Sequence, residues 1–222
     1  IGNHYRKYLL GEVIPIGSIK NNKIDNKRTK KIKNSLTFIS QWHESGLLGL
    51  ECDYNIINFL KKYSILMNKD LRIIPRYKKN SSERAKEDSF YKNIFKHSIP
   101  YFENENLSSY ELCDVSEVTV GIDSTLCYEN LARGNKTAIF SIRSDTLKLQ
   151  GFEFNWPANM PDYGIFWSNK YSDEHFTEIL NRLYDINNNE WQNCLNNIKY
   201  KENFIYDNNN LILKNFINQT IK

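Results

Sequence analysis

An α/β chain built around a parallel sheet is what this sequence predicts, and three observations predict it. From Ser35 onward, apolar runs of strand length alternate with amphipathic stretches of helical period. Between Val118 and Ser141 the alternation closes into a complete βαβ unit of about two dozen residues. Finally, each well-defined apolar run is followed at once by a polar cluster, at the carboxyl end where an open α/β sheet places its ligands. The class is therefore a Rossmann-like parallel sheet flanked by helices.

The elements follow in order. Glu12 to Ile16 reads as a short strand, and Lys20 to Lys33 (KNNKIDNKRTKKIK) as a solvated basic linker, because it holds almost no apolar residue from which a helical stripe could be drawn. Leu36 to Ser40 (LTFIS) is the first core strand. Ile56, Ile57, Phe59, Leu60, Tyr63 and Met67 then fall on one helical face, with Asp53 as its N-cap. Leu71 to Pro75 (LRIIP) is the next strand, Phe90, Tyr91, Ile94 and Phe95 mark a helix, and Ile99 to Phe102 a short strand. Val118 to Ile122 (VTVGI) is a buried strand, Asp123-Ser124-Thr125 a turn, Leu126 to Arg133 a helix, Gly134 its stop and Lys136 to Ser141 (KTAIFS) the following strand. Ile142 to Tyr163 reads as a long irregular loop, of a length that suits a lid or a binding loop, Gly164 to Ser168 as a strand, and Asp173 as the cap of a helix carrying Phe176, Ile179, Leu180, Leu183 and Tyr184. Two helices, around Glu190 to Ile198 and Leu211 to Ile221, close the chain, with the Asn runs 187–189 and 208–210 as turns. This divides the sequence into residues 1–34, the end of an upstream domain plus a basic linker, and residues 35–222, the Rossmann-like domain. Because the first residue is Ile1, the sequence is expected to be the C-terminal part of a longer protein.

Composition narrows the class of function. The 222 residues are 40% hydrophobic and 25% charged, which suits a packed core and excludes disordered and collagen-like chains. A net charge of +4 fits an anionic ligand without selecting one. Cys52, Cys113, Cys127 and Cys194 are widely separated, with no C-x-x-C pair and no His at ligand spacing, so free thiols in a reducing cytoplasm are expected and no metal site. The absence of a G-x-G-x-x-G fingerprint and of a P-loop lysine argues against nicotinamide redox chemistry and ATP hydrolysis, and the absence of a D-x-D pair argues against a metal-held diphosphate.

The chemistry should sit after the strands. Those segments are Ser40-Gln41-Trp42-His43, Arg76-Tyr77-Lys78, Asp123-Ser124-Thr125 and Ile142-Arg143-Ser144. The third is the sharpest: hydroxyls, unpaired backbone N–H groups and the positive dipole end of a helix together suit a phosphate. Glu129 lies four residues beyond Thr125 and hence on the same helical face, where a carboxylate can accept both hydroxyls of a ribose. Spacing alone equally allows Asp123 or Ser124 to be a plain cap and Glu129 a solvated acid. His43 is a weak candidate for a general base and otherwise a surface residue. His97 and His175 read as ordinary helix residues, and His4 as a residue of an inter-domain cleft. Trp42, Trp156 and Trp167 could stack on a base or sugar, but packing is the commoner use of such side chains.

The stretch Tyr110 to Ser141, YELCDVSEVTVGIDSTLCYENLARGNKTAIFS, resembles the nucleotide-sugar-binding half of GT-B glycosyltransferases, specifically bacterial surface-carbohydrate (capsule and lipopolysaccharide) biosynthesis proteins with a D-S-T-L-G-Y-E-x-L-x-x-G-K motif. Pro15 to Ser18 (PIGS), Phe38 to Trp42 (FISQW), the region Arg76 to Tyr91 and Trp156 to Trp167 (WPANMPDYGIFW) resemble the same group. The resemblance implies the C-terminal, donor-binding domain of a GT-B fold. Ser124 and Thr125 would hold the phosphate, Glu129 the ribose, and Arg76 or Lys78 would supply the cation, with Ser40, Gln41, Asp123 and Arg143 completing the donor site. The nucleotide-sugar is then a substrate, so no cofactor is expected. The partners would be that donor and a carbohydrate or lipid-linked acceptor, with no nucleic acid. The location would be cytoplasmic, with room for peripheral contact at the inner membrane face. Cys127 stands where the family pattern has Gly, and Tyr163 where its P-D-x-G turn has an amide or small residue.

Two further readings stay open at this point. A nucleotide-sugar epimerase of the related two-domain fold would share the phosphate and ribose contacts but need more acids. A non-catalytic module binding a polyanion through Lys20 to Lys33 would leave the strand-end clusters unused.

Overall fold

A computed structural model of the chain describes residues 8–11, 13–25, 29–43, 45–46, 49–104, 106–197 and 204–220. Five parallel strands form one sheet in the order β2-β1-β3-β4-β5: β1 Ile32–Ile39, β2 Asp70–Ile74, β3 Ser116–Gly121, β4 Thr137–Phe140 and β5 Trp167–Ser168. Helices flank it: α1 Leu50–Leu66, α2 Ser82–Phe95, α3 Ser109–Val115, α4 Thr125–Ala132, α5 Arg143–Leu147, α6 Asp173–Asp185, α7 Asn188–Leu195 and α8 Leu211–Thr220. The Rossmann-like parallel sheet predicted from the sequence is thus the observed architecture.

The strands are near-continuous apolar runs because both faces of a parallel sheet are covered. Leu36, Phe38, Val118, Val120, Ala138, Ile139 and Phe140 are all fully buried. Phe59 of α1 meets Phe176 of α6 at 5.2 Å between ring centroids, and Phe176 stacks on Phe140 of β4 at 4.0 Å, so α1 and α6 close one apolar layer over the sheet. Gly134 ends α4 at φ +88°, and a Cβ there would lie 2.9 Å from the Gln192 side chain, so the predicted stop is fixed by both backbone and neighbour. Its carbonyl accepts from Trp191 Nε1 at 2.9 Å, which seats α7.

Several local expectations are corrected. Asp53 does not cap α1; Gly49 precedes the helix at φ +73°, and Asp53 is a buried residue of its first turn. Ser172, not Asp173, caps α6, accepting from the His175 N–H. Val13–Ile16 is irregular rather than a strand. Ile99–Phe102 contributes only an isolated bridge from Tyr101 to Ile73, because its backbone turns away after one residue pair. Helix α3, which the sequence reading passed over, starts with a capping box of Ser108 and Glu111. The long loop after β4 contains α5 and turns back into the core through Phe154, which is fully buried.

Part of the expected basic linker is integral to the fold. Asn21 and Asn22 are buried; Asn22 Nδ2 donates to the Ile16 carbonyl at 2.7 Å and to Asn210 Oδ1 at 2.9 Å, while its Oδ1 accepts from the Asp207 N–H at 2.9 Å. Lys31 Nζ donates to the Asp114 carbonyl and to Asn135 Oδ1, each at 2.7 Å. A stretch that looks solvated by composition is held instead through its amides and one lysine head.

Candidate functional site

The strand order reverses between β1 and β3, one neighbour of β1 leading to β2 and the other onward to β5. At such a reversal the connections after adjacent strands leave in opposite directions and open a crevice at the carboxyl ends. The residues following β1 and β3 are those the sequence singled out. Gln41 Nε2 donates to Asp123 Oδ1 at 2.6 Å, and the Asp123 N–H donates back to Gln41 Oε1 at 2.8 Å. This reciprocal pair stitches the two loops across the crevice.

Arg143, at the start of α5, is fully buried. Its Nη1 pairs with Asp123 Oδ1, and its Nη2 donates to Asp53 Oδ2 at 3.1 Å. Asp53 is 2% exposed, and its Oδ1 has no hydrogen-bond partner. One guanidinium therefore serves two carboxylates. Burial pushes the Asp53 carboxyl up to about 6, with Arg143 pulling against the rise and Asp123 adding to it.

Asp123 leads into α4. Ser124 is the N-cap, half-buried, its hydroxyl accepting from the Leu126 N–H at 3.3 Å, while Thr125 is exposed. The amide end of this eight-residue helix thus opens outward beside Gln41 and Asp123. Cys127, the departure from the family pattern, faces away from it: Gly121 of β3 leaves a space whose Cβ position is only 2.2 Å from the Cys127 sulfur. The thiol fills a gap between helix and sheet, and burial raises it well above the ordinary thiol range.

One turn down α4, the Glu129 carboxylate faces the Tyr110 phenol, with Ser18 close by. Burial and this carboxylate push the Tyr110 phenol up to about 12. Ser18 belongs to the PIGS segment, so the N-terminal strip lies against the Glu129 face of α4, and Asn21 Nδ2 donates to the Glu129 carbonyl at 3.2 Å.

The remaining predicted residues divide. Arg76 is exposed, and its Nη1 donates to the carbonyls of Gln41 at 3.1 Å and Trp42 at 3.4 Å, so it joins the crevice. Lys78 is exposed, two residues beyond Arg76. Ser40 turns inward: its hydroxyl donates to Glu87 Oε1 at 2.5 Å and accepts from Tyr91 at 2.8 Å. Glu87, fully buried on α2, also accepts the N–H groups of Arg76 at 3.0 Å and Tyr77 at 3.2 Å, so one carboxylate sets the ends of both β1 and β2. Among the described residues, the His43 ring pairs with Ser45, at 2.7 Å. Trp42 and Trp167 are buried, while Trp156 is half exposed. Tyr163, the other departure from the family pattern, packs against His175 in a tilted pair with ring centroids 4.0 Å apart.

Asp53, Glu87, Tyr110 and Ser18 complete the geometry without having been chosen from the sequence. Asp53 has the pattern of a helix cap, and Glu87 lies in a strongly polar run. Their pairing with residues 90 and 47 positions away in sequence leaves no local trace. Among the described residues no group of His, Cys, Asp and Glu could hold a metal ion, and no helix is long and apolar enough to cross a membrane.

The fold is a Rossmann-like α/β architecture with the amide end of α4 at its strand-order reversal. The particular family follows from comparison: a family model described as "putative O-antigen biosynthesis protein" matches residues 1–47 and 50–221, and the chain belongs to that family. Its role is accordingly in the biosynthesis of a surface polysaccharide. No curated protein matches the sequence.

Proposed function

We propose that the chain binds the nucleotide-sugar donor of a glycosyl transfer in O-antigen assembly, as the donor half of a GT-B-type glycosyltransferase. The observation that carries this reading is the open amide end of α4 at the strand-order reversal, with a carboxylate one turn below it. The phosphates would meet the Ser124 and Thr125 hydroxyls and the first N–H groups of α4. Glu129 would take the ribose hydroxyls: a carboxylate offers about four acceptor positions, so the neighbouring Tyr110 phenol leaves room. Arg76 supplies the cation. Two bonds from its Nη1 anchor it, and a guanidinium has five N–H donors to share.

As the glycosidic bond breaks, negative charge gathers on the departing nucleotide, and fixed amides plus a guanidinium stabilise it with no metal ion required. The acceptor, a carbohydrate or lipid-linked sugar, would enter opposite this edge.

A thermal-melting panel of CMP, CDP, UDP and GDP with their sugars tests the reading. At least one should raise the melting temperature. Glu129→Ala and Thr125→Val should each remove most of that rise while leaving the unliganded protein folded. An equal rise in both variants and wild type, or none with any nucleotide, would refute the site, and an epimerised donor recovered in the absence of acceptor would refute the transfer.

A further inference from the structure

We propose that Asp53 is a positioning residue for the α4 anion site: by sharing Arg143 with Asp123, it governs how firmly the Asp123 carboxylate is held away from the helix end, and so how well that end accepts an anion. This rests on the donor-site reading above and names a residue which that reading does not use.

The argument starts from charge. Asp123 immediately precedes the N-cap, so its carboxylate is the nearest fixed negative charge to the amides that would hold a phosphate. A carboxylate there either competes for those amides or repels their ligand. Gln41 and Arg143 pull it to one side, both on Oδ1. Arg143, however, is also bound to Asp53, and the buried trio of one guanidinium and two carboxylates carries a net charge of −1 when both acids are ionised. Among the described residues the Oδ1 of Asp53 closes no hydrogen bond, and its contact with Arg143 runs through Oδ2. An acid that only braced Arg143 would be expected to have both oxygens satisfied.

Protonating Asp53 removes that excess charge and weakens its claim on Arg143, which strengthens the hold of Arg143 on Asp123. The groups facing Asp53 are Arg143 from α5, Asp123 from the β3–α4 turn, the Gln41 backbone N–H, Tyr91 from α2 and the neighbouring Cys52 thiol. With burial dominant, its carboxyl is pushed up to about 6. Anion affinity should therefore rise as pH falls through about 6. Coupling between two such positions in a protein is typically worth about fivefold or more in affinity.

Sulfate is the probe, because it stays doubly charged from pH 5 to 8. Titrations at constant ionic strength would be followed through the backbone amide resonances of Ser124 to Leu126 in wild type and Asp53→Asn, alongside the carboxyl carbons of Asp53 and Asp123 in the sulfate-free protein. Wild type should bind sulfate roughly fivefold more tightly at pH 5.5 than at pH 7.5, and Asp53→Asn should show the tighter value at both. The variant keeps every other titrating group, so the difference between the two curves belongs to Asp53. Parallel curves would overturn the proposal. If sulfate moves no α4 amide in either protein, the donor-site reading falls, and the positioning role is decided by the sulfate-free spectra. There the Asp123 carboxyl of wild type should register the ionisation of Asp53, and a smooth single-step Asp123 titration would overturn the role. That last measurement uses wild type alone and holds even if the variant fails to fold.

Discussion

Two buried arginines, one toward each end of α4, show how differently the same side chain can be surrounded. Arg133, the C-cap of the helix, is 4% exposed and has every direction filled. Nε donates to Asp114 at 2.9 Å, Nη2 to Asn130 Oδ1 at 3.0 Å and to the Tyr110 carbonyl at 3.3 Å, and Nη1 to Asn21 and to the Glu129 carbonyl. Asp114 faces both this guanidinium and the Lys31 ammonium, and neutral oxygens take the remaining Arg133 N–H groups. Arg143 is buried as deeply but faces two carboxylates, one with an unsatisfied oxygen and the other, Asp123, partly open to the crevice. A completed cluster with no excess of acid locks the C-terminal end of α4. An incomplete, over-charged one occurs where a ligand is expected, and that difference separates scaffold from site better than burial alone.

The comparison breaks most visibly at Arg133. Arg133→Met should destabilise the fold by about 3–5 kcal/mol, because Asp114, Asn130 and Asn21 are left buried around an apolar side chain. Urea denaturation at neutral pH measures this, and ligand-induced stabilisation of the fraction that remains folded should be unchanged. A loss under 1 kcal/mol would show the cluster to be less exacting than its geometry implies.

Arg143→Gln should behave differently because its partners titrate. Arg143 opposes the upward shift of Asp53, so its removal drives the Asp53 carboxyl higher still. The sign follows: an acid whose folded-state value is raised from 3.8 to about 6 stabilises the fold below the unfolded value and loses that contribution as pH rises through the folded one. The variant should therefore be about 2–3 kcal/mol less stable than wild type at pH 8, where an uncompensated buried carboxylate must be ionised, and about 1 kcal/mol less stable at pH 5. Equal losses at both pH values would remove Asp53 from the account.

The contrast also explains what the sequence disclosed and what it hid. The sheet was legible because each strand is a local apolar run, and α4 because its turn, its helical face and Gly134 are neighbours in the chain. Gln41, Asp123, Arg143 and Arg76 were identifiable as strand-end residues from topology alone, and the structure places them around one crevice. Hidden were the groups that set them: Glu87 and Asp53 act at sequence separations of 47 and 90, and nothing within a turn of either announces a partner. The Arg133 cluster was invisible for the same reason. It draws on Asn21 from a stretch whose lysines suggested solvent, although its asparagines are what the fold uses. Ser40 shows the opposite error, a correctly placed strand-end hydroxyl that turns inward to Glu87.

The smallest expected effect on stability is the one that best divides capping from binding at the α4 end. Ser124→Ala should cost about 1 kcal/mol through loss of the N-cap acceptor, whereas Ser124→Gly should cost only a few tenths, since glycine tolerates the cap conformation. If the hydroxyl also holds a phosphate, both variants should lose a similar share of nucleotide-induced stabilisation despite their unequal effects on the unliganded protein, because both lack the same donor. Losses that scale instead with the capping penalty would mean that Ser124 serves the helix alone and that the backbone amides and Thr125 receive the anion. That outcome would make the Ser124 hydroxyl resemble the Arg133 end of the helix, a satisfied structural contact, and would narrow the functional end to its unpaired N–H groups.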